Sequence, residues 1–270
     1  MSAPFLYRAW VLASRCLIPF AASAEARKLN AQDVPAARAG EKRGIATQPR
    51  PSGGPLVWVH AASVGESLSV LALITRMGHM LPDAHFLITS GTATSARLVD
   101  QRLPPRSLHQ FAPLDAPGPL KRFLAHWQPD AAIFVESEIW PQMLRRTHAT
   151  GAPMALVNAR MSDKTVEFWE KWPRTARYLF DVFTLIVTQN DAMARNMIRM
   201  HAPADRVSPG VNLKSMAGPL PVDAQALASA RTALGGRAVW VASSTHEGEE
   251  RSVRDAHKKL LREIPDLCLI

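Results

Sequence analysis

From Leu56 onward, short apolar runs alternate with longer stretches of helical character. The run Leu56-Val57-Trp58-Val59-His60 has no polar alternation, as expected of a strand buried on both faces, and a helical stretch from Ser63 to Met80 follows it. The cycle recurs, predicting strands at 85–89, 107–111, 131–135, 154–158, 185–188 and 206–208, with helices at 93–102, 117–127, 140–149, 164–180 and 190–200. Alternation on this scale predicts an α/β fold, a parallel sheet covered by helices. After Lys214 comes the Gly/Pro stretch Ala217-Gly218-Pro219-Leu220-Pro221, and then a new cycle: helix 223–234, strand 238–242, helix 247–263 and the start of a strand at 267–270. A second α/β unit is expected to begin here and to be cut off at Ile270. No repeat of fixed period is visible, which excludes a solenoid.

The N-terminal pattern is different. Residues 4–22 are mostly apolar, with Phe5, Tyr7, Trp10 and Phe20, but Arg8 and Arg15 interrupt them and Pro19 falls near the end. A spanning helix needs about 20 apolar residues with few charges. On a helix Arg8 and Arg15 share one face, which describes a helix lying in a membrane interface with its arginines snorkelling to water. A packed first helix or a secretory signal ending at Ala22-Ser23-Ala24 would use the same residues, although Arg15 leaves the signal's apolar region short. Residues 23–54 collect Ala, Arg, Lys, Pro and Gly without an aromatic residue and are expected to form a basic linker with one short helix.

Composition narrows the class. The chain has 270 residues, 47% apolar and 20% charged, so it buries a substantial core and is neither disordered nor collagen-like. The length fits two domains, expected at 55–214 and 215–270. Cys16 and Cys268 have neither disulfide nor zinc spacing. The net charge is +9, and residues 1–50 carry Arg8, Arg15, Arg27, Lys28, Arg38, Lys42, Arg43 and Arg50 against Glu25, Asp33 and Glu41, so more than half of the excess lies in that arm. Such an arm attracts phosphates of lipid, substrate or nucleic acid. Beyond Phe20 the arm has no aromatic residue to stack bases, which disfavours nucleic acid.

In open parallel sheets ligands bind beyond the carboxyl ends of the strands. After the first strand, Ser63 and Glu66 have the spacing of a capping box, the stronger reading on spacing alone, and Glu66 also suits a general base beside the small Gly65. The hydroxyl-rich Thr89–Ser95 segment could hold a phosphate or sugar, or simply cap a helix. Glu136 and Glu138 stand two apart where a strand meets a helix; if the strand persists they point to one side and could position or polarise a hydroxyl. No third ligand is evident near them, so a metal is not expected. Arg160 could take a phosphate or pair with Glu136 or Glu138. Asn212 and Lys214, and the cluster Ser243, Ser244, Thr245 and His246, could face a phosphate, or the cluster could cap the following helix.

Taken together, His60-Ala-Ala-Ser-Val-Gly-Glu66, Glu136-Ser-Glu-Ile-Trp-Pro141, Val157-Asn-Ala-Arg160, Asn212-Leu-Lys214 and Ser244-Thr-His-Glu-Gly-Glu-Glu250 resemble the Kdo (3-deoxy-D-manno-octulosonic acid) transferases of lipopolysaccharide biosynthesis, in order and spacing from about Leu56. The resemblance implies a GT-B-type glycosyltransferase: an N-terminal Rossmann-like acceptor domain and the beginning of a second Rossmann-like domain that takes CMP-Kdo. It further implies transfer of Kdo to a lipid A precursor (lipid IVA) at the cytoplasmic face of the bacterial inner membrane, without a metal or other cofactor. Glu66 would be the catalytic base. Ser63, Gly65, Glu136, Glu138 and Arg160 would serve the acceptor, and Asn212, Lys214, Ser243, Ser244, Thr245 and His246 the donor. Two departures fall on the donor side: Val211 stands where the family usually has glycine, and Ser215-Met216 replaces an aromatic-acidic pair. Because the second unit stops early, weak or no transfer by the 270-residue chain alone is expected. A non-catalytic protein that binds phosphorylated lipid is the competing interpretation.

Overall fold

The computed structural model describes residues 2–216 and 222–270. They form two compact units divided between Ala217 and Gly218. The first contains seven parallel strands: β1 (Leu56–His60), β2 (His85–Ser90), β3 (Ser107–Phe111), β4 (Ala131–Val135), β5 (Met154–Ala159), β6 (Leu185–Thr188) and β7 (Val207–Pro209). Their order is β3-β2-β1-β4-β5-β6-β7, so the winding reverses between β1 and β4. In its helices α1 is Phe5–Asn30, α2 Ala36–Ala39, α3 Val64–Met80, α4 Ala93–Asp100, α5 Pro117–Trp127 and α6 Pro141–His148. The next three are α7 (Asp163–Glu170), α8 (Pro173–Phe180) and α9 (Asp191–Arg199).

The apolar runs dictate this layering. In β1, Leu56 and Trp58 enter the core that contains Phe123, Leu144 and Phe180, while Val57 and Val59 enter the opposite core with Val70 and Ile74. Ala132 and Phe134 of β4 face the first side, and Ile133 and Val135 the second. Successive residues thus bury on opposite faces, as a sheet covered on both sides requires. The helix expected at 164–180 is two helices. Pro173 lacks an amide hydrogen and its ring opposes a continuing helix, so the chain breaks at Trp172 and restarts with Pro173 in the first turn of α8.

Residues 23–54 are not a linker. Helix α1 continues to Asn30, and Leu29 and Ala39 pack against Ala93, Ala96 and Phe111. Glu41 is fully buried: it accepts a hydrogen bond from the Phe111 amide at 2.7 Å and another from the Thr47 hydroxyl. Burial pushes its carboxyl above the usual range, against those bonds and the nearby Arg38 guanidinium. Arg38 pairs with Asp100 at 2.7 Å and meets His109 Nδ1 at 2.6 Å. Burial and the charges of Arg38 and Lys42 push His109 down to about 3, so the imidazole is neutral. Gly44 has φ +76°, and a Cβ there would lie 2.0 Å from Pro119 O, so the close approach of the arm requires glycine. The arm closes the outer side of β3, an edge strand.

Helix α1 lies on this unit through polar ties. Trp10 Nε1 donates to Asp115 Oδ2 at 2.6 Å, Gln142 Nε2 donates to Ser14 Oγ at 2.7 Å, and Tyr7 meets Tyr178 edge-on at 5.1 Å. Its free side presents Phe5, Leu12, Leu17 and Phe20, each more than half exposed. The second unit contains α10 (Ala224–Leu234), β8 (Val239–Trp240), α11 (Glu249–Leu260) and β9 (Cys268–Leu269), with β8 and β9 parallel. The expected strands there shorten to two residues each. The glycine and prolines of the 217–221 stretch lie outside the described residues.

Asp115, in the loop before α5, ties α1 to α6, because it also accepts from the Gln142 and Met143 amides at 3.3 and 2.6 Å, capping α6 from outside that helix. Asp115→Ala is expected to lower stability by about 2–3 kcal/mol, the scale of hydrogen bonds to a charged acceptor. Urea denaturation measures the loss. Faster proteolysis within α1 is expected to accompany it.

Candidate active site

Where the winding reverses, the carboxyl ends of β1 and β4 stand side by side and leave a crevice, the place a parallel sheet offers to a ligand. His60 ends β1, Glu136 and Glu138 follow β4, and Glu66 sits in the first turn of α3. The topology collects three carboxyl groups at one opening.

Glu66 is placed by local chain geometry. Ser63 is the N-cap of α3, and its Oγ accepts from the Glu66 amide at 3.3 Å while donating to Glu66 Oε1 at 2.8 Å. The Ala62 amide donates to Oε2 at 2.9 Å. Burial pushes the Glu66 carboxyl up, and the charges of Glu138 and Glu136 add to that effect, against the bonds from Ser63 and Ala62. A carboxylate held in two hydrogen bonds with a raised proton affinity is suited to accept a proton.

Glu138 is held in the opposite state. His60 Nε2 lies 3.1 Å from Glu138 Oε2, and Trp140 Nε1 donates to the same oxygen. Behind it, His60 Nδ1 lies 3.0 Å from Thr89 Oγ1, which accepts from Trp58 Nε1 at 2.8 Å. Trp58 can only donate, so Thr89 Oγ1 accepts from it, while His60 Nε2, facing a carboxylate oxygen, is the donor to Glu138. Burial raises the Glu138 carboxyl, but the His60 bond and charge and the Trp140 bond outweigh it, holding the group below the usual range.

The strand does not persist through Glu136, so the expectation that the two carboxyls share a side fails. Glu136 has φ +56°, which turns the chain after Val135 and separates the pair. Glu136 Oε1 meets Lys214 Nζ at 3.0 Å and accepts from Asn158 Nδ2 at 3.2 Å. Asn158, also at positive φ (+55°), accepts from the Leu213 amide at 3.0 Å and fixes the segment that carries Lys214. Lys214 comes close to the start of α3, where a Cβ at Gly65 would lie 3.7 Å from its Nζ.

Several expected residues lie elsewhere or are otherwise engaged. Arg160 is exposed, and among the described residues the ion pair with Glu136 is made by Lys214 instead. Asn212 Oδ1 accepts from the Lys214 amide at 3.0 Å and shapes the turn before it. Thr92 and Ser95 form a reciprocal cap on α4, and Ser95 also donates to Ser90 at 2.8 Å. In the second unit, Ser243, Ser244, Thr245 and His246 are exposed; Thr245 donates to Glu250 at 3.0 Å and the His246 amide to Glu249 at 2.8 Å, at the start of α11. Glu250 is held below the usual range by backbone hydrogen bonding and by Thr245. His60, Thr89, Trp140 and Asn158 support the site without having been singled out individually. His60, Trp140 and Asn158 are part of the family-like runs, but only the fold shows what their side chains touch.

Comparison with known proteins agrees in sequence and in fold. The family model described as 3-deoxy-D-manno-octulosonic-acid transferase (kdotransferase) matches residues 37–217. A probable mitochondrial 3-deoxy-D-manno-octulosonic acid transferase of Arabidopsis thaliana is 32% identical over 85% of this chain and 52% of its own length. The 3-deoxy-D-manno-octulosonic acid transferase of Rickettsia felis is 35% identical over 80% of this chain and 46% of its own. The chain spans about half the length of the curated relatives it matches. Among solved structures, the UDP-GlcNAc 2-epimerase of Neisseria meningitidis bound to UDP-GlcNAc aligns with a TM-score of 0.50 at 12% identity, covering 79% of this chain and 64% of that one. That likeness concerns the fold alone, the Rossmann-like α/β domain of GT-B-type enzymes.

The raised Glu66 carboxyl gives a signed pH dependence. Its contribution to stability is fully present below the ordinary value of 4.5 and is lost as pH rises through the higher folded value. Glu66→Gln removes that titration, so the variant is expected to gain in melting temperature relative to the parent as pH rises above 4.5. Thermal denaturation from acid to neutral pH measures the difference. Parallel curves for the two proteins would show that the site does not raise this carboxyl.

Proposed function

The chain belongs to the Kdo transferase family, and on that footing we propose that it is the acceptor-binding part of an enzyme that transfers Kdo from CMP-Kdo to a lipid A precursor (lipid IVA), with Glu66 as general base. The observation that carries this reading is the Glu66 carboxyl, fixed by Ser63 and Ala62 at the mouth of the sheet and made more basic by its surroundings. Glu66 takes the proton from an acceptor hydroxyl as that oxygen bonds to the anomeric carbon of Kdo. The bond from that carbon to the CMP phosphate oxygen breaks, and CMP departs with the electron pair. The proton on Glu66 then passes to solvent.

The other groups have separate tasks in this reading. Lys214, paired with Glu136, supplies positive charge beside the base for the negative charge that develops on transfer. Ser63, Gly65, Glu136, Glu138 and Arg160 serve the acceptor; Asn212, Lys214, Ser243, Ser244, Thr245 and His246 serve the donor. No metal or cofactor enters the proposal. Glu136 is engaged by Lys214 and Asn158, and Glu138 by His60 and Trp140, so each already has its charge compensated. The apolar outer side of α1, with Arg8 and Arg15 exposed, suits a helix lying in the interface of an anionic membrane, which we place at the cytoplasmic face of the inner membrane. Nucleic acid has no part in it.

Two measurements test this. In the full-length gene product, Glu66→Ala is expected to lower turnover of CMP-Kdo and lipid A precursor by roughly 10²–10⁴-fold, the range for a lost general base. Unchanged turnover with a lower melting temperature would reduce Glu66 to a helix cap. Replacing Phe5, Leu12 and Phe20 by serine is expected to abolish sedimentation with phosphatidylglycerol vesicles while the fold is retained. Retained binding would assign membrane attachment to another surface.

A further inference from the structure

Lys42 takes no part in the chemistry proposed above, yet it is buried, 6% exposed, in the short turn that follows α2. Its neighbour Glu41 is fastened to β3, so the lysine backbone is fixed, and its ammonium reaches across the strand ends. There Nζ donates to Gly91 O at 2.8 Å and lies 5.6 Å from the centre of the Phe111 ring. An ammonium has three donors. The bond to Gly91 is the one hydrogen bond this ammonium makes among the described residues, and it forms no ion pair among them. Burial pulls its pKa down to about 8, with the Glu25 charge opposing, so it is cationic at neutral pH.

Lys42 also lines a cavity of about 310 Å³, together with Glu25, His60, Ala62, Gly91 and Trp140. Small-molecule sites run from about 300 to 1,000 Å³, so the space admits a sugar phosphate. Its walls lead to the candidate active site. The Gly91 amide donates to Ala62 O at 2.8 Å, and the Ala62 amide donates to Glu66. His60 and Trp140 both hold Glu138. Asp115 also borders the cavity, but its oxygens already accept from Trp10 and from the Gln142 and Met143 amides. Glu25 and Ala21 belong to α1, so this cavity opens beneath the helix whose other side is apolar and exposed.

We propose that Lys42 receives an anionic group of the acceptor, a phosphate monoester, in this cavity and thereby positions the acceptor hydroxyl against Glu66. The assignment rests on reading the site as an acceptor site. Lys42 is a positioning residue here: it touches the substrate's charge and not the reacting atoms. Glu25 is the opposing carboxylate that weakens the same interaction.

Calorimetric titration of the chain with glucosamine 1-phosphate and with glucosamine tests this directly. The parent is expected to prefer the phosphate ester. Lys42→Met is expected to reduce that preference by about tenfold or more, an effect of about 1.4 kcal/mol. Glu25→Gln is expected to strengthen phosphate binding, and Arg43→Gln, at an exposed neighbour, to leave it within about twofold. Opposite signs at Lys42 and Glu25 are not produced by a general loss of folding. No phosphate preference in the parent, an equal preference in folded Lys42→Met, or weaker binding in Glu25→Gln overturns the proposal. In the full-length gene product, Lys42→Met is expected to raise KM for the phosphorylated acceptor without changing KM for CMP-Kdo. If transfer is absent while Lys42-dependent binding persists, the proposed reaction falls and the anion site stands. If transfer proceeds while phosphate binding ignores Lys42, the anion site falls and the reaction stands.

Discussion

Three carboxyl groups at one opening repel one another, and the organisation around the sheet's reversal point follows from keeping each in a different condition. Glu138 receives two donors and stays ionised. Glu136 is turned away by its positive φ and meets a cation. Glu66 keeps two hydrogen bonds yet is pushed toward protonation by its own burial and by both other charges. The network from Trp58 through Thr89 and His60 matters because it stabilises the charge on Glu138, and that charge raises the basicity of Glu66. Groups whose environments pull their proton affinities apart are the arrangement that acid-base chemistry uses.

The N-terminal arm solves a second electrostatic problem. Helix α1, with Arg8 and Arg15 in its apolar first half, is long and apolar enough to cross a membrane by length and composition. Its polar anchors instead lay it along the first unit: a tryptophan on a buried aspartate and a serine on a buried glutamine, each costly to leave unpaired. What remains outward includes Phe5, Leu12, Leu17 and Phe20, with Arg8 and Arg15 also exposed. The same stretch of chain thus covers the edge strand β3 through Glu41 and forms one wall of the cavity through Glu25.

The sequence was most informative where burial alone sets the structure. Runs such as Leu56–His60 and Ala131–Val135 locate strands because a sheet covered on both faces admits little but apolar side chains. Residues 23–54 were misleading for a related reason: their anchors are polar, and a buried Glu41 or half-buried Arg38 cannot be told from a solvated one by composition. The Pro173 break is legible in the sequence, because a proline inside a helical stretch ends the helix before it. The partner of Glu136 could not be read at all. Arg160 is closer in sequence, yet Asn158 and the turn at Asn212 bring Lys214 to the carboxylate. The spacing along β5 says nothing of that arrangement.

At Glu66 the cap that the structure shows is compatible with the proposed role as a base. The serine hydroxyl and the Ala62 amide are cap partners, and each bond favours the ionised carboxylate. Taken alone, they would make Glu66 a weaker base. Burial and the neighbouring charges act in the opposite direction and prevail. The cap therefore orients the carboxyl, while the surroundings set its proton affinity. A base at the start of a helix needs both: the orientation cannot come from bulk charge, and the affinity cannot come from the cap.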